Sequence, residues 1–323
     1  MGKTKFAIGC LVQWYEVDII GEYIETLEES ITHYNGDVIV DFTICVNQTL
    51  EKCVSEKKLG ECLRQIENIL INNGLIDGVT VSHDLETIAD YRREFNDKYC
   101  EEVDVLVWGE SDMLVPKQMF ETLDMLHQST KDDTPKYLAT FGCCKMWDSS
   151  WKPLEHVDFT DKPFIEGNDA IDKWWSLRYN MSKQEMNDIN SKVDELQVTT
   201  IAPHKYNGCG LVISSEVIKS GVNIPRSVFF VHEDTAFMYM TQKVLGNIPQ
   251  YHFSNILLVH NRKHPNKRAY IKGEEEIAGS DVGAKRKTHD WYTTANKMCE
   301  SNCNNLFNPK YKPFTWQDVW NQK

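Results

Sequence analysis

The chain has 323 residues and a net charge of −13 at pH 7, from 35 Lys plus Arg against 48 Asp plus Glu. Hydrophobic residues make up 41% and aromatics 11%, which suits one large α/β domain and excludes a disordered chain. The acidic balance excludes broad, non-specific adhesion to nucleic acid or anionic membrane, while leaving room for a local basic groove.

No run approaches the ~20 apolar residues of a membrane span. The start, Met1–Phe6, carries two lysines, and the apolar run behind it breaks at Gln13 and Glu16. It therefore reads as a strand rather than a signal peptide, and a cytoplasmic location is expected. The ten cysteines, at 10, 45, 53, 62, 100, 143, 144, 209, 299 and 303, lie mostly in apolar runs. They read as reduced, buried thiols, because neither Cys143-Cys144 nor Cys299 with Cys303 has a second pair at zinc-finger spacing. Asn47-Gln-Thr and Asn180-Met-Ser then match the glycosylation sequon by chance.

In chain order, Phe6–Gln13 is a continuous apolar run, as a buried parallel strand requires. Ile20, Tyr23, Ile24, Leu27 and Ile31 follow at helical spacing, and Asn35-Gly36 closes that helix. Val38–Val46 is a second buried strand. Leu59, Cys62, Leu63, Ile66, Ile69 and Leu70 mark a helix, Gly78–Ser82 a short strand, and Glu86–Asp97 another helix. Val103–Trp108 is an all-apolar strand. This alternation predicts an open, mostly parallel sheet with helices on both faces. Ligands bind such sheets beyond the carboxyl ends of the strands, which directs attention to the residues after Gln13, Val46 and Trp108.

Further on, Pro116–His127 predicts a helix and Tyr137–Met146 a strand. The pattern loosens between Trp147 and Pro203. Gly210–Ile213 and Val228–Val231 then read as strands, Asp234 to Gly246 as a helix, and Phe253–Val259 as a last strand. Residues 1–127 are expected to form one half of a domain, 128–262 its second half, and 263–323 a basic loop with a C-terminal extension. Trp291, Trp316 and Trp320 are expected to pin that extension to the body.

The strand ending at Trp108 empties into Gly109-Glu110-Ser111-Asp112. Two carboxylates at i and i+2 in a turn can face one hard cation, Mn²⁺ or Mg²⁺, and leave positions open for diphosphate oxygens. Downstream, Val228–Val231 delivers His232-Glu233-Asp234. Asp234 suits a helix N-cap, and either acid could serve as a general base. After Phe253–Val259 come His260, a candidate third metal ligand, and the densest basic run: Arg262, Lys263, Lys267 and Arg268. A diphosphate beside a metal calls for such neutralisation.

With those motifs in that order, the chain resembles the nucleotide-diphospho-sugar glycosyltransferases of the GT-A fold, particularly the large inverting family. The resemblance spans roughly residues 6–262. It implies that Gln13, Trp14, Tyr15 and Glu16 hold the base and ribose of a donor, UDP-linked by analogy. Asn47 stands where the family carries an acidic cluster. Tyr91-Arg92-Arg93 is similar to the family's Arg-bearing helix, with Arg93 assigned to the donor. Glu110-Ser111-Asp112 matches the family's Asp-x-Asp with Glu in first place, so that Asp112 is the expected ligand and Glu110 the weaker one. Asn207-Gly208-Cys209-Gly210 resembles the glycine-bearing strand before the acceptor helix, and Glu233-Asp234 falls on the catalytic pair.

Trp147, Trp151, Trp174 and Trp175, with Gly208, stand where the fold places acceptor elements. A second basic cluster, Lys285-Arg286-Lys287, could extend a phosphate-contacting strip. The composition also resembles enzymes of large tailed bacteriophages, which implies DNA modification at a hydroxymethylated base in the host cytoplasm. A glycan or protein acceptor is the alternative. A sugar nucleotidyltransferase would want a Gly-rich, basic loop where Gln13-Trp14-Tyr15-Glu16 stands. A catalytically inactive nucleotide-sugar-binding protein is the remaining alternative.

Overall fold

Strand β1 (Phe6–Gln13) lies at the centre of the sheet and is buried on both faces in a computed structural model of the chain. The structure describes residues 2–13, 16, 20–47, 49, 51–52, 57, 60–61, 63–64, 68, 71–72, 80–142, 183–201, 208–260, 285–286 and 289–322. The other strands are β2 (Val38–Cys45), β3 (Glu51–Lys52), β4 (Thr80–Ser82), β5 (Val105–Trp108), β6 (Met113–Leu114), β7 (Leu138–Gly142), β8 (Val198–Ile201), β9 (Val212–Ser214), β10 (Gln250–Leu257), β11 (Val259–His260) and β12 (Lys285–Arg286). The helices are α1 (Ile20–Tyr34), α2 (Ile88–Tyr99), α3 (Met119–Thr130), α4 (Lys183–Asn190), α5 (Ser215–Lys219), α6 (Glu233–Leu245), α7 (His289–Asn304) and α8 (Trp316–Asn321). The residues described between 57 and 72 are also helical.

Eight strands form one sheet in the order β4-β2-β1-β5-β9-β7-β10-β8. β1 pairs in parallel with β2 and β5, β2 with β4, and β7 with β10. Only β9 and the edge strand β8 run antiparallel to their neighbours. The expected open, mostly parallel α/β sheet is therefore present, and strands from both sides of residue 127 share it.

The two-residue period of the strands explains the layers. On β1, Phe6, Ile8, Cys10 and Val12 point to one face, where Ile20, Tyr23, Ile24 and Leu27 of α1 and Phe120 and Leu123 of α3 cover them. Ala7 and Leu11 point to the other face, against α2, α5 and α6. β5 divides likewise, with Val105 and Val107 on the first side and Leu106 and Trp108 on the second. Helix α2 starts where Thr87 accepts a bond from the Asp90 N–H, and α1 ends at Asn35, which takes φ 50°.

One expected strand is absent. Val228–Val231 is a loop, in which the first two carbonyls are taken by side chains instead of a neighbouring strand. Arg93 donates to the Val228 carbonyl and Thr87 to that of Phe229. The apolar side chains of the loop are covered by α7 and α8, where Phe229, Trp291, Ala295, Met298, Cys299 and Val319 form a separate core with Phe230 and Trp316. The aromatics near the C-terminus thus pack a tail onto the body, as expected. Cys10, Cys45, Cys100, Cys209, Cys299 and Cys303 are buried thiols. No helix among the described residues is long and apolar enough to cross a membrane.

Candidate active site

At the carboxyl end of β5 the backbone turns sharply over β1. Gly109 donates its N–H to the Gly9 carbonyl at 2.8 Å, and a Cβ there would collide with the Tyr23 hydroxyl. Only glycine lets the chain pass this close. Glu110, Ser111 and Asp112 follow, closed by a bond from the Met113 N–H to the Glu110 carbonyl at 3.0 Å. Glu16, just beyond β1, braces this turn: one carboxylate oxygen accepts from the Ser111 hydroxyl at 3.1 Å, the other from the Gln13 N–H at 2.9 Å. β6 then pairs with β11 so that His260 stands opposite Met113, one residue beyond Asp112.

The centre of the site is Arg92, the neighbour of the arginine expected at the donor. Its guanidinium is 2% exposed and lies over the Trp108 ring, 4.8 Å from the centroid. Nη1 donates to Glu233 at 2.6 Å, and Nη2 donates to Glu110 at 2.8 Å and to the Gly208 carbonyl at 3.2 Å. Gly208 is a glycine for a steric reason, since a Cβ would occupy the place of Arg92 Nη1. One buried cation therefore joins the turn after β5, the segment before β9 and the start of α6.

Helix α6 begins at Glu233, with His232 rather than Asp234 at the cap position. Asp234 lies in the first turn, where its Oδ1 accepts from the Thr235 N–H at 2.6 Å. Burial, then the charge of Asp234, raises the Glu233 carboxyl above the ordinary carboxylate range, with Arg92 opposing the shift. Burial raises Asp234 too, opposed by the Thr235 N–H and Arg92. Burial works against the Arg92 charge, but Glu233 and Glu110 hold it cationic.

Other expected site residues make bonds of their own or lie outside the described residues. Arg93, assigned to the donor, points away from Arg92: Nε donates to the Ile224 carbonyl and Nη2 to those of Pro225 and Val228. Helix phase separates the two arginines. Arg92 shares the sheet-facing stripe of Ala89, Asn96 and Tyr99, and that spacing was the signal that could have found it. Asn47 donates its amide to the His83 carbonyl and accepts from the Thr49 N–H, so both ends serve the local loop. Gln13 Nε2 donates to the Glu86 carbonyl. Trp14, Tyr15, Trp147, Trp151, Trp174, Trp175, Arg262, Lys263, Lys267 and Arg268 lie outside the described residues, as does the side chain of His260.

Asp112 and Glu110 are both partly exposed, the Glu110 side chain to 24%. Among the described residues no group of three or more His, Cys, Asp or Glu could hold an ion by themselves. A two-carboxylate turn of this kind fits a hard cation that takes its remaining ligands from a diphosphate and water.

No protein-family model and no curated protein matches the sequence. Three solved structures are among its structural neighbours. S. aureus TarS (residues 1–349) is 11% identical, with 98% of this chain and 77% of that one covered at a TM-score of 0.43. Glucosyl-3-phosphoglycerate synthase from Mycobacterium tuberculosis, in complex with Mg²⁺ and uridine diphosphate, is 10% identical over 87% of this chain and 80% of that one, also at 0.43. A CMP-2-keto-3-deoxy-manno-octonic acid synthetase complexed with CTP is 12% identical over 77% and 90%, at 0.32. The chemistry of the site is accordingly read from its own residues.

Proposed function

We propose that the chain is a glycosyltransferase that moves a sugar from a nucleotide-diphosphate donor, UDP-linked, to an acceptor hydroxyl with inversion. The observation that supports this is the pairing of Glu110 and Glu233 on the single guanidinium of Arg92, at 2.8 and 2.6 Å. It puts the carboxylate turn and the acid pair beside one space beyond the parallel strands, where ligands of such sheets bind.

Asp112, with Glu110 beside it, would hold Mn²⁺ or Mg²⁺, which when bound supplies positive charge to the diphosphate oxygens. Asp234 is the base. Its Oδ1 is engaged by Thr235, whereas Glu233 is tied into the ion pair with Arg92. Asp234 takes the proton of the acceptor O–H, and the acceptor oxygen bonds to the anomeric carbon. The bond from that carbon to the diphosphate oxygen breaks, and the nucleoside diphosphate leaves with the electron pair. The raised position of Asp234 suits it to receive a proton near neutrality. The acceptor to test first is a hydroxymethylated DNA base, because the basic runs Arg262–Arg268 and Lys285–Lys287 stand out in an acidic chain.

The protein is incubated with Mn²⁺ and a panel of nucleotide sugars, and free nucleoside diphosphate is measured. Slow, metal-dependent UDP release that Asp112→Ala abolishes is the expected result. Pyrophosphate or nucleoside monophosphate would point to nucleotidyl transfer and overturn the reading, as would no release with no binding. A mass shift in hydroxymethylcytosine nucleosides identifies DNA as acceptor; its absence moves the acceptor to glycan or protein.

A further inference from the structure

The chain enters α6 through an unfavourable backbone conformation. His232, the residue before Glu233, has φ 68° and ψ 20°, in the left-handed region where residues with a Cβ are seldom found. A helix cap is ordinarily extended. Among the described residues only Asn35 shares a positive φ without being glycine. Such strain persists where the surroundings over-determine it.

Here the surroundings come largely from the C-terminal helices. His232 Nε2 is bonded to Asn296 Oδ1 of α7 at 2.8 Å. Phe230 packs edge-on against Trp291 and Tyr292 and is tilted over Trp316, which also meets Phe229. Asn302, 1% exposed, donates to the Ser227 carbonyl at 2.7 Å and to the Phe314 carbonyl at 2.8 Å, and accepts from the Phe314 N–H. The loop is thus tied at 227, 229, 230 and 232 before the helix starts. The aromatic contacts fix where the loop lies, and the bond to Asn296 restrains the His232 side chain against rotation of the backbone behind it.

We infer that α7 positions the acid pair: Asn296 latches His232 in its left-handed turn, and that turn sets the direction in which Glu233 and Asp234 leave the loop. Asn296 is a positioning residue, 64 positions along the chain from the His232 that it holds. The inference rests on the proposed function only for what the pair does; the latch itself concerns residues 228–236.

Amide hydrogen exchange of the full chain tests it directly, without reference to activity. Asn296→Ala removes a hydrogen bond worth about a fivefold shift in local opening, so exchange at 230–236 should rise by about that factor while β1 and β5 stay protected. Asn296→Asp, which keeps an acceptor oxygen, should restore protection. His232→Gly adopts the same φ without strain. Freed of the strain that the latch opposes, it should keep both the melting temperature and the protection at 230–236 near those of the parent, and adding Asn296→Ala to it should change neither. Unchanged exchange there in Asn296→Ala, an equal rise when Asn296→Ala is added to His232→Gly, or a rise spread evenly over the molecule overturns the latch. In turnover, Asn296→Ala should lower kcat and leave the donor KM unchanged; faster exchange with unaltered kcat would overturn its role in aiming the base. If the parent protein shows no metal-dependent release, the proposed function has failed, and the exchange comparison still decides the latch.

Discussion

Burying the Arg92 guanidinium is costly, and the cost is recovered only while Glu110 and Glu233 both remain in reach. Gly208 controls that reach, since an added Cβ would displace Nη1. Its φ is not positive, so alanine suits the backbone there and the substitution isolates the collision. Gly208→Ala should therefore lower metal-dependent UDP release by about tenfold or more, equivalent to ~1.4 kcal/mol of barrier. Stability should fall as well, because the pair with Glu233 is stretched. Turnover within twofold of the parent would show that Arg92 need not stand where it does.

The acid pair gives a second prediction at this scale, with a definite sign. The carboxyls of Glu233 and Asp234 are raised above their unfolded values, so over that interval the folded chain binds more protons than the unfolded one. Stability then falls as pH rises through the raised range. Asp234→Asn removes one charge of the pair and can still accept the Thr235 N–H. It should stabilise the protein by about 1 kcal/mol at pH 8, an advantage that shrinks towards pH 4, where the parent pair is protonated. The same variant should lose UDP release. Urea unfolding at the two pH values checks the first outcome. A variant less stable than the parent at pH 8 would mean that the carboxylate is compensated by more than Arg92.

At the scale of elements, the parallel strands were legible because burial on both faces leaves unbroken apolar runs, as in Phe6–Gln13 and Val105–Trp108. Val228–Val231 carries the same signature and is a loop. An apolar tetrad does not reveal whether its carbonyls meet another strand or the side chains of Arg93 and Thr87. The carboxylate turn and the acid pair could be found from their place after apolar runs. Helix spacing marks Arg92 as the arginine of the doublet that faces the sheet, but not that Glu110 and Glu233 would both reach it, so their connection could not be found. The other, Arg93, points away. It holds three carbonyls of the 224–228 segment, and Arg93→Ala should strand them at a cost of at least ~2 kcal/mol in unfolding free energy. Affinity for UDP with Mn²⁺ should stay within twofold. Weaker nucleotide binding with stability intact would return Arg93 to the donor site.

At the scale of the whole molecule, the proposed site draws on β1, β5, the segment before β9 and α6, elements spread from Glu16 to Asp234. Unfolding any one of them disperses the site, so a ligand held there binds the folded chain and not the unfolded one. Linkage then stabilises the fold by about 2.7 kcal/mol when the ligand is present at 100 times its dissociation constant. For a chain of this length that corresponds to a rise in Tm of about 5 °C. UDP with Mn²⁺ should produce this rise, and UDP with a chelator much less, because the diphosphate would meet Glu110 and Asp112 without an intervening cation. Asp112→Asn should abolish the metal-dependent part and leave the melting temperature without ligand within a degree or two, since Asp112 is partly exposed and asparagine keeps its size and one acceptor oxygen. An equal rise with and without Mn²⁺, or a full metal-dependent rise in Asp112→Asn, would place the diphosphate away from the turn after β5.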